Sequence, residues 1–130
     1  ALAIYEAAYG ATHPDTGGLV NNLATLLQAK GDLDGAEPLY RRALAIGEAA
    51  HGPTHADTGR SVNNLATLLQ AKGDLDGAEP LCRRALAICE AGHAPSHADT
   101  GTSVSNLAML LQAKGDLDGA EPLYRRALAI

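Results

Sequence analysis

The sequence predicts an all-α fold, a solenoid of repeated helix pairs, from three observations. The chain repeats itself with a period of 42 residues, and 35 of 42 positions are identical between 5–46 and 47–88. Ala and Leu, which favour helices, supply most of the apolar residues, whereas Phe and Trp are absent. Each repeat also carries two sets of helix start and stop signals. Such a period is typical of units that bury their apolar faces only by stacking on one another.

The first helix of each unit is expected to start at a capping box and to end at a glycine. The boxes lie at 12–15, 54–57 and 96–99, where a Thr or Ser hydroxyl caps free amides and an Asp follows three residues later. Pro14 suits a first turn, because its missing N–H has no helical partner there. The helix should run to Lys30, and Gly31 supplies the stop.

The second helix is expected to open at Asp32, a favourable cap residue, and to run to about His51. Pro38 lies about six residues inside it and removes one backbone hydrogen bond. A bent or loosened first turn is therefore predicted here, and again at Pro80 and Pro122.

Helical periodicity predicts which faces are buried. On the first helix, the apolar sector expected in the core is Leu19, Val20, Leu23, Ala24, Leu26 and Leu27. On the second helix, the expected buried face is Leu33, Ala36, Leu39, Tyr40, Ala43, Leu44 and Ile46. The residues expected to point outward are Asp34, Glu37, Arg41 and Arg42, with Glu37 and Arg41 forming an i,i+4 pair.

Composition and motifs argue against several function classes. The net charge is -5 and no basic cluster exceeds an Arg pair, so nucleic acid and membranes are not expected partners. No nucleophile elbow or phosphate-binding loop is present, so no enzymatic activity, catalytic residue or cofactor is expected. Cys82 and Cys89 are seven residues apart in a helix, about 10 Å, which is too far for a disulfide. Free thiols suit a reducing compartment and hence a cytoplasmic location.

The histidines are a possible metal motif that the sequence disfavours. His51, His55 and Asp57 recur as His93, His97 and Asp99, and histidines four apart on one helix can bind zinc. Here a turn falls between them and is expected to break the shared face. Cap and linker roles are therefore favoured, and no metal site is predicted.

Seven residues of the second unit fall at the spacing of a known signature: Leu65, Ala66, Leu69, Gly73, Ala78, Cys82 and Ala85. They resemble the tetratricopeptide (TPR) repeat. The 42-residue unit, with "GPTHADTGRSVNNLA" and "GAEPLYRRALAI", is similar to the longer repeat of kinesin light chains and related bacterial proteins. The resemblance implies a right-handed superhelix of antiparallel helix pairs whose first helices line a concave groove. It also implies a protein or peptide as the partner.

The groove implied by this resemblance is lined by short, uncharged side chains, and Arg60 is its clear cation. An Asn side chain can pair with both N–H and C=O of a bound backbone, so the Asn positions suggest a ladder for an extended peptide. The alternative is that these Asn side chains bond to the neighbouring unit. The candidate groove residues are Asn21, Asn22, Thr25, Gln28, Arg60, Asn63, Asn64, Thr67, Gln70, Ser105, Asn106, Met109 and Gln112.

We expect one array over 1–130, with a partial second helix at 1–10, units at 11–52 and 53–94, and a truncated unit at 95–130. Both ends fall at the same four repeat positions, Ala-Leu-Ala-Ile, inside second helices. These ends are complementary, which predicts head-to-tail self-association. A structural or self-assembling solenoid, recently duplicated or designed toward a consensus, is therefore the rival to a peptide-binding module.

Overall fold

The computed structural model describes residues 14–92 and 98–129, and this part of the chain contains six α-helices and no strand. They are α1 (Pro14–Ala29), α2 (Leu33–His51), α3 (Ala56–Ala71), α4 (Leu75–Gly92), α5 (Ala98–Ala113) and α6 (Leu117–Ala129). Each helix packs against its neighbours in the sequence, both within a unit and between units. The predicted all-α array of stacked helix pairs is confirmed. The partial helix predicted at 1–10 lies outside the described residues.

The turn between the two helices of a unit joins a stop signal directly to a start signal. Gly31 adopts a φ of 87°, a conformation that favours glycine, and its N–H donates to Gln28 O at 3.0 Å. Asp32 N–H donates to Leu27 O at 2.9 Å, while its carboxylate accepts from Gly35 N–H at 2.9 Å. A Cβ at Gly35 would overlap that carboxylate. Asp32 therefore ends α1 and begins α2, and the same contacts recur at 69–77 and 111–119.

The start of α3 differs from the prediction. The N-cap is His55, not Thr54, and His55 Nδ1 accepts from Asp57 N–H at 3.0 Å. The backbone of His55 is extended, with φ -70° and ψ 149°, which is the conformation an N-cap residue needs. The capping box predicted for this unit is thus wrong, whereas the cap role expected of the histidines is confirmed at His55. The caps predicted at Thr12 and Ser96 lie outside the described residues.

The core follows the predicted faces with one exception. On α2, Ala36, Tyr40, Ala43, Leu44 and Ile46 are buried, and Leu33 and Leu39 are half-buried. On α1, Val20 and Ala24 are buried, and Leu19, Leu23 and Leu27 are half-buried.

The exception is Leu26, which is 56% exposed, so its predicted burial is wrong. Leu68 and Leu110, at the same repeat position, are 0% exposed. The difference in exposure follows from the preceding unit. The second helix α2 packs against α3, and α4 packs against α5, whereas no described helix precedes α1.

The three internal prolines do not interrupt their helices. The α-helical assignment runs continuously through Pro38 in α2, Pro80 in α4 and Pro122 in α6. The loosening predicted from the missing N–H therefore does not amount to a helix break.

Candidate binding face on the first helices

The polar surface of α1, α3 and α5 is here named the first-helix face. None of its candidate groove residues is buried in the structure. The exposed ones are Asn22, Thr25, Arg60, Thr67, Met109 and Gln112. The half-buried ones are Asn21, Gln28, Asn63, Asn64, Gln70, Ser105 and Asn106.

The asparagines of this face bond across the unit boundaries. Asn64 Nδ2 donates to Asn21 Oδ1 at 3.1 Å, and Asn106 Nδ2 donates to Asn63 Oδ1 at 3.2 Å. These contacts are the alternative role considered for the ladder, in which Asn holds the neighbouring unit. Each donating amide still has a second N–H and its carbonyl oxygen available, because an Asn side chain offers two donors and one acceptor.

The glutamines of this face differ in the hydrogen bonds that their side chains accept. Tyr40 of α2 donates its hydroxyl to Gln28 Oε1 at 2.8 Å, and Tyr124 of α6 donates to Gln112 Oε1 at 2.8 Å. In the middle unit the corresponding position is Cys82, which has no hydroxyl. Gln70 therefore lacks this contact, and its side-chain amide forms no hydrogen bond with any described residue.

Arg60 lies between two clefts on the first-helix face. The cleft toward α1 has a volume of about 180 Å³ and includes Asn21 and Asn64. The cleft toward α5 has a volume of about 290 Å³ and includes Asn63 and Thr102. The Arg60 side chain is 73% exposed, and its Nη1 lies 3.7 Å from Asp57 Oδ1. A cation is thus placed centrally in a row of neutral amides.

The second helices carry a different, charged surface. Lys72 Nζ lies 2.8 Å from Asp34 Oδ1 and 2.7 Å from Glu37 Oε1 of the preceding unit. Glu37 also accepts from Arg41 at 3.1 Å, which confirms the predicted i,i+4 pair. The hydrogen bonds to Asp34 and Glu37 raise the pKa of Lys72 to about 12, and those from Lys72 lower the pKa of both carboxyl groups.

The same network recurs one unit later. Lys114 contacts Asp76 at 2.8 Å and Glu79 at 2.7 Å, and Glu79 accepts from Arg83. Sequence reasoning missed both lysine bridges, because each partner is 35 residues or more away. The repeat period was the available signal, since it makes the end of one first helix a neighbour of the preceding second helix.

A further pair of ionic contacts joins consecutive second helices. Arg84 lies 3.1 Å from Glu48, and Arg126 lies 2.7 Å from Glu90. Arg84 also donates to the carbonyl oxygen of Pro53 in the linker between units. Sequence reasoning missed these contacts too.

Both cysteines are free, as predicted. Cys82 is buried, and desolvation, aided by the nearby Glu79 charge, raises the pKa of its thiol. Cys89 is half-buried, with its Sγ 3.4 Å from Ser103 Oγ. Burial keeps Cys82 protonated and therefore unreactive, which fits a packing role.

Among the described helices, none is both long enough and apolar enough to span a bilayer.

Comparison with known proteins points to one family. A model of the tetratricopeptide repeat matches residues 18–76 and 61–130. No curated protein sequence matches the chain. The crystal structure of BtubC (BKLC) from P. vanneervenii aligns with a TM-score of 0.92 at 28% identity, over 98% of this chain and 51% of that one. A Podosopora anserina structure, described as a kinesin-light-chain protein with nearly identical TPR-like repeats, aligns with a TM-score of 0.89 at 26% identity, over 98% and 61%.

The TPR domain of Arabidopsis FLU shares the fold, with a TM-score of 0.73 at 17% identity over 87% of this chain and 92% of that one. The chain spans about half the length of the BtubC structure and about three fifths of the Podosopora anserina one.

Proposed function

The chain belongs to the tetratricopeptide repeat family and is similar to its kinesin-light-chain-like members, and we propose that it binds an extended peptide or a partner helix along the first-helix face. Arrays of this family are in general protein-interaction modules without catalytic activity. The free thiols favour a reducing location such as the cytoplasm.

The observation that carries the proposal is the row of half-buried amides beside two clefts. Asn64, Asn106 and Gln70 each keep hydrogen-bonding groups that no described residue occupies. A peptide backbone presents alternating N–H and C=O groups, which such amides can pair with irrespective of peptide sequence. The clefts on either side of Arg60 would receive side chains of the peptide.

The charge of the face bears on the ligand. Arg60 is the single cation among the candidate groove residues, and Asp57 lies close enough to screen it in part. We therefore expect a ligand that is neutral or carries few charges, and not a strongly acidic peptide.

The test is selection from a displayed peptide library on the immobilised full chain, followed by titration of a selected peptide. Gln70→Ala should weaken binding about tenfold without changing the melting temperature, because its amide has no partner in the described structure to lose. Gln28→Ala is the comparison within the same face: because Tyr40 already engages the carbonyl oxygen of Gln28, this change should weaken binding less than Gln70→Ala and should lower the melting temperature.

Arg60→Gln and Arg83→Gln remove the same charge from different surfaces. Only Arg60→Gln should therefore change the affinity for the selected peptide. Failure to select any peptide, or equal losses from both arginine variants, would refute binding on this face.

A second candidate function, self-assembly of the solenoid, rests on the outer surface of α6. Leu128 is 89% exposed, although Leu44 and Leu86 at the same repeat position are 9% and 8% exposed. Leu117 is also exposed, at 64%. In the other units this surface receives the next first helix. A second copy of the chain would supply such a helix through α1, where Leu26 is exposed.

A further inference from the structure

The turn between the first and second units brings two imidazoles and a carboxylate together. His51 is the last residue of α2, and His55 and Asp57 lie at the start of α3. His51 Nε2 lies 3.7 Å from Asp57 Oδ2, and His55 Nδ1 lies 3.9 Å from the same oxygen. The two rings stack with centroids 4.8 Å apart. The turn was expected to separate these side chains, and that expectation is wrong.

The geometry is close to that of a metal centre. Imidazole nitrogen and carboxylate oxygen are zinc ligands with bonds of about 2.0–2.2 Å, so tetrahedral neighbours lie roughly 3.3–3.5 Å apart. The candidate ligand atoms of all three residues lie within 4.8 Å of one another. The carboxylate oxygen is already within about 0.5 Å of that spacing from both imidazoles. The two imidazole nitrogens must approach each other by roughly 1.5 Å, which rotation of these exposed side chains allows.

We propose that His51, His55 and Asp57 form a binding site for a divalent transition-metal ion, with Zn²⁺ as the representative ion. His51 Nε2, His55 Nδ1 and Asp57 Oδ2 are the protein ligands, and water completes the coordination. Imidazole suits Zn²⁺, Ni²⁺ and Cu²⁺ better than Mg²⁺ or Ca²⁺, so the site discriminates between these two groups of ions.

The groups around the three ligands affect how well they can bind a metal ion. Asp57 presents Oδ2 to the imidazoles while Oδ1 faces Arg60 at 3.7 Å, which orients the carboxylate. The C-terminus of α2 favours a cation and the N-terminus of α3 disfavours one, so the two helix dipoles largely offset. Metal binding at His55 Nδ1 replaces the cap bond from Asp57 N–H. The ion would then connect the end of one unit to the start of the next.

The test is isothermal titration of the chain with ZnCl₂, repeated with CoCl₂ to follow its absorption spectrum. His93 and His97 repeat the same sequence spacing, so both are first changed to Asn to leave a single site. One ion per chain is expected. His51→Asn and His55→Asn should each weaken binding at least about tenfold. Asn is a good N-cap residue, so His55→Asn keeps a start signal for α3.

His13→Asn is the matched control. His13 occupies the repeat position of His55, but Tyr9 stands where His51 would be, so this change should leave the titration unaltered. Circular dichroism of every variant checks that the helices persist. Absence of Zn²⁺ binding, or binding that His51→Asn and His13→Asn change equally, would overturn the proposal.

Discussion

Lys72 Nζ of the second unit lies 2.7 Å from Glu37 Oε1 of the first unit. The same nitrogen lies 2.8 Å from Asp34 Oδ1 of that unit. The bridge crosses a unit boundary, and Lys114 repeats it at the next boundary. Lys30 holds the same repeat position, directly after α1, but contacts no acidic group among the described residues. Within the described residues, Lys72 and Lys114 therefore form this bridge, whereas Lys30 does not.

Lys72→Gln is expected to lower the melting temperature slightly at neutral pH, and Lys30→Gln should not. The effect must be small because the groups are exposed and screened by salt. The carboxyl pKa values of Asp34 and Glu37 are lowered from 3.8 and 4.5, so their contribution exists above those values and is lost as the pH falls through the lowered ones.

The pKa of Lys72 is raised from 10.5 to about 12, so its contribution exists below 10.5 and is lost as the pH rises through 12. Thermal melts by circular dichroism from pH 2 to pH 8, with and without 1 M salt, test whether this contribution to stability is lost as the pH falls. A difference in melting temperature between Lys72→Gln and the parent that persists at pH 2 would contradict this expectation.

Asn64→Ala is expected to affect both stability and binding, because Asn64 donates to Asn21 across the unit boundary. Losing this half-buried bond should lower the free energy of unfolding by about 0.5–1.5 kcal/mol, measured by urea denaturation. Asn22→Ala is the control, since Asn22 is the exposed copy in α1 and its side chain has no partner among the described residues. A double-mutant cycle with Asn21→Ala isolates the pair. A coupling energy near zero would show that the contact between Asn64 and Asn21 does not stabilise the fold.

For peptide binding, the same Asn64→Ala variant should lose about 1–3 kcal/mol of affinity if its free groups pair with the ligand backbone. The measurement is calorimetric titration at a temperature where the variant remains folded. An unchanged affinity together with lowered stability would assign Asn64 to the unit boundary alone.

Leu65→Ala should lower the free energy of unfolding by roughly 2–5 kcal/mol, because Leu65 is 1% exposed in the middle of the array. Leu26→Ala removes the same atoms from a side chain that is 56% exposed and should cost far less. Urea titrations of both variants, followed by circular dichroism, provide the comparison. Equal losses would show that Leu26 is covered in solution.

The turn and the buried faces inside one unit were predictable from the sequence, whereas contacts between units were considered only as an alternative for the asparagines, without their partners. Asp32 and Gly31 define a turn from local chemistry alone, and periodicity placed Leu65 in the core. The bond between Asn64 and Asn21 depends on the rotation and offset of one unit against the next. A repeat period states only that units stack, and leaves that rotation open.

The linker between units also has a feature that the sequence alone did not determine, namely which residue caps α3. Thr54 and His55 are both plausible caps, and the choice depends on which residue has the extended backbone where the chain leaves α2. That path also stacks His51 on His55, which contradicts the separation expected from the Gly-Pro turn. Candidate site residues were thus predicted as a set, whereas their partners required the three-dimensional structure.

Self-association between copies of the chain should depend on Leu128 and on the charges beside it. Leu128→Glu should reduce any concentration-dependent increase in mass, because it places a charge on the surface that would receive the second copy. Light scattering over a wide range of concentrations measures this. The matched control is Ala45→Glu, at an exposed position on the outer side of α2. A chain that stays monomeric up to millimolar concentration would exclude the contact.

Charge reversal tests the orientation of the same contact. By analogy with Lys72 and its partners, Lys30 of one copy would meet Asp118 and Glu121 of another, head to tail. Lys30→Glu alone should weaken association, because acidic groups then face one another, and so should the double change Asp118→Lys with Glu121→Lys, because basic groups then do. A mixture of the two variants should associate again, since each surface of one is complementary to the opposite surface of the other. Such a contact is heterologous and does not close, so it extends into rows. Two variants that fail to associate when mixed, while the parent chain does associate, would show that copies meet through a different surface.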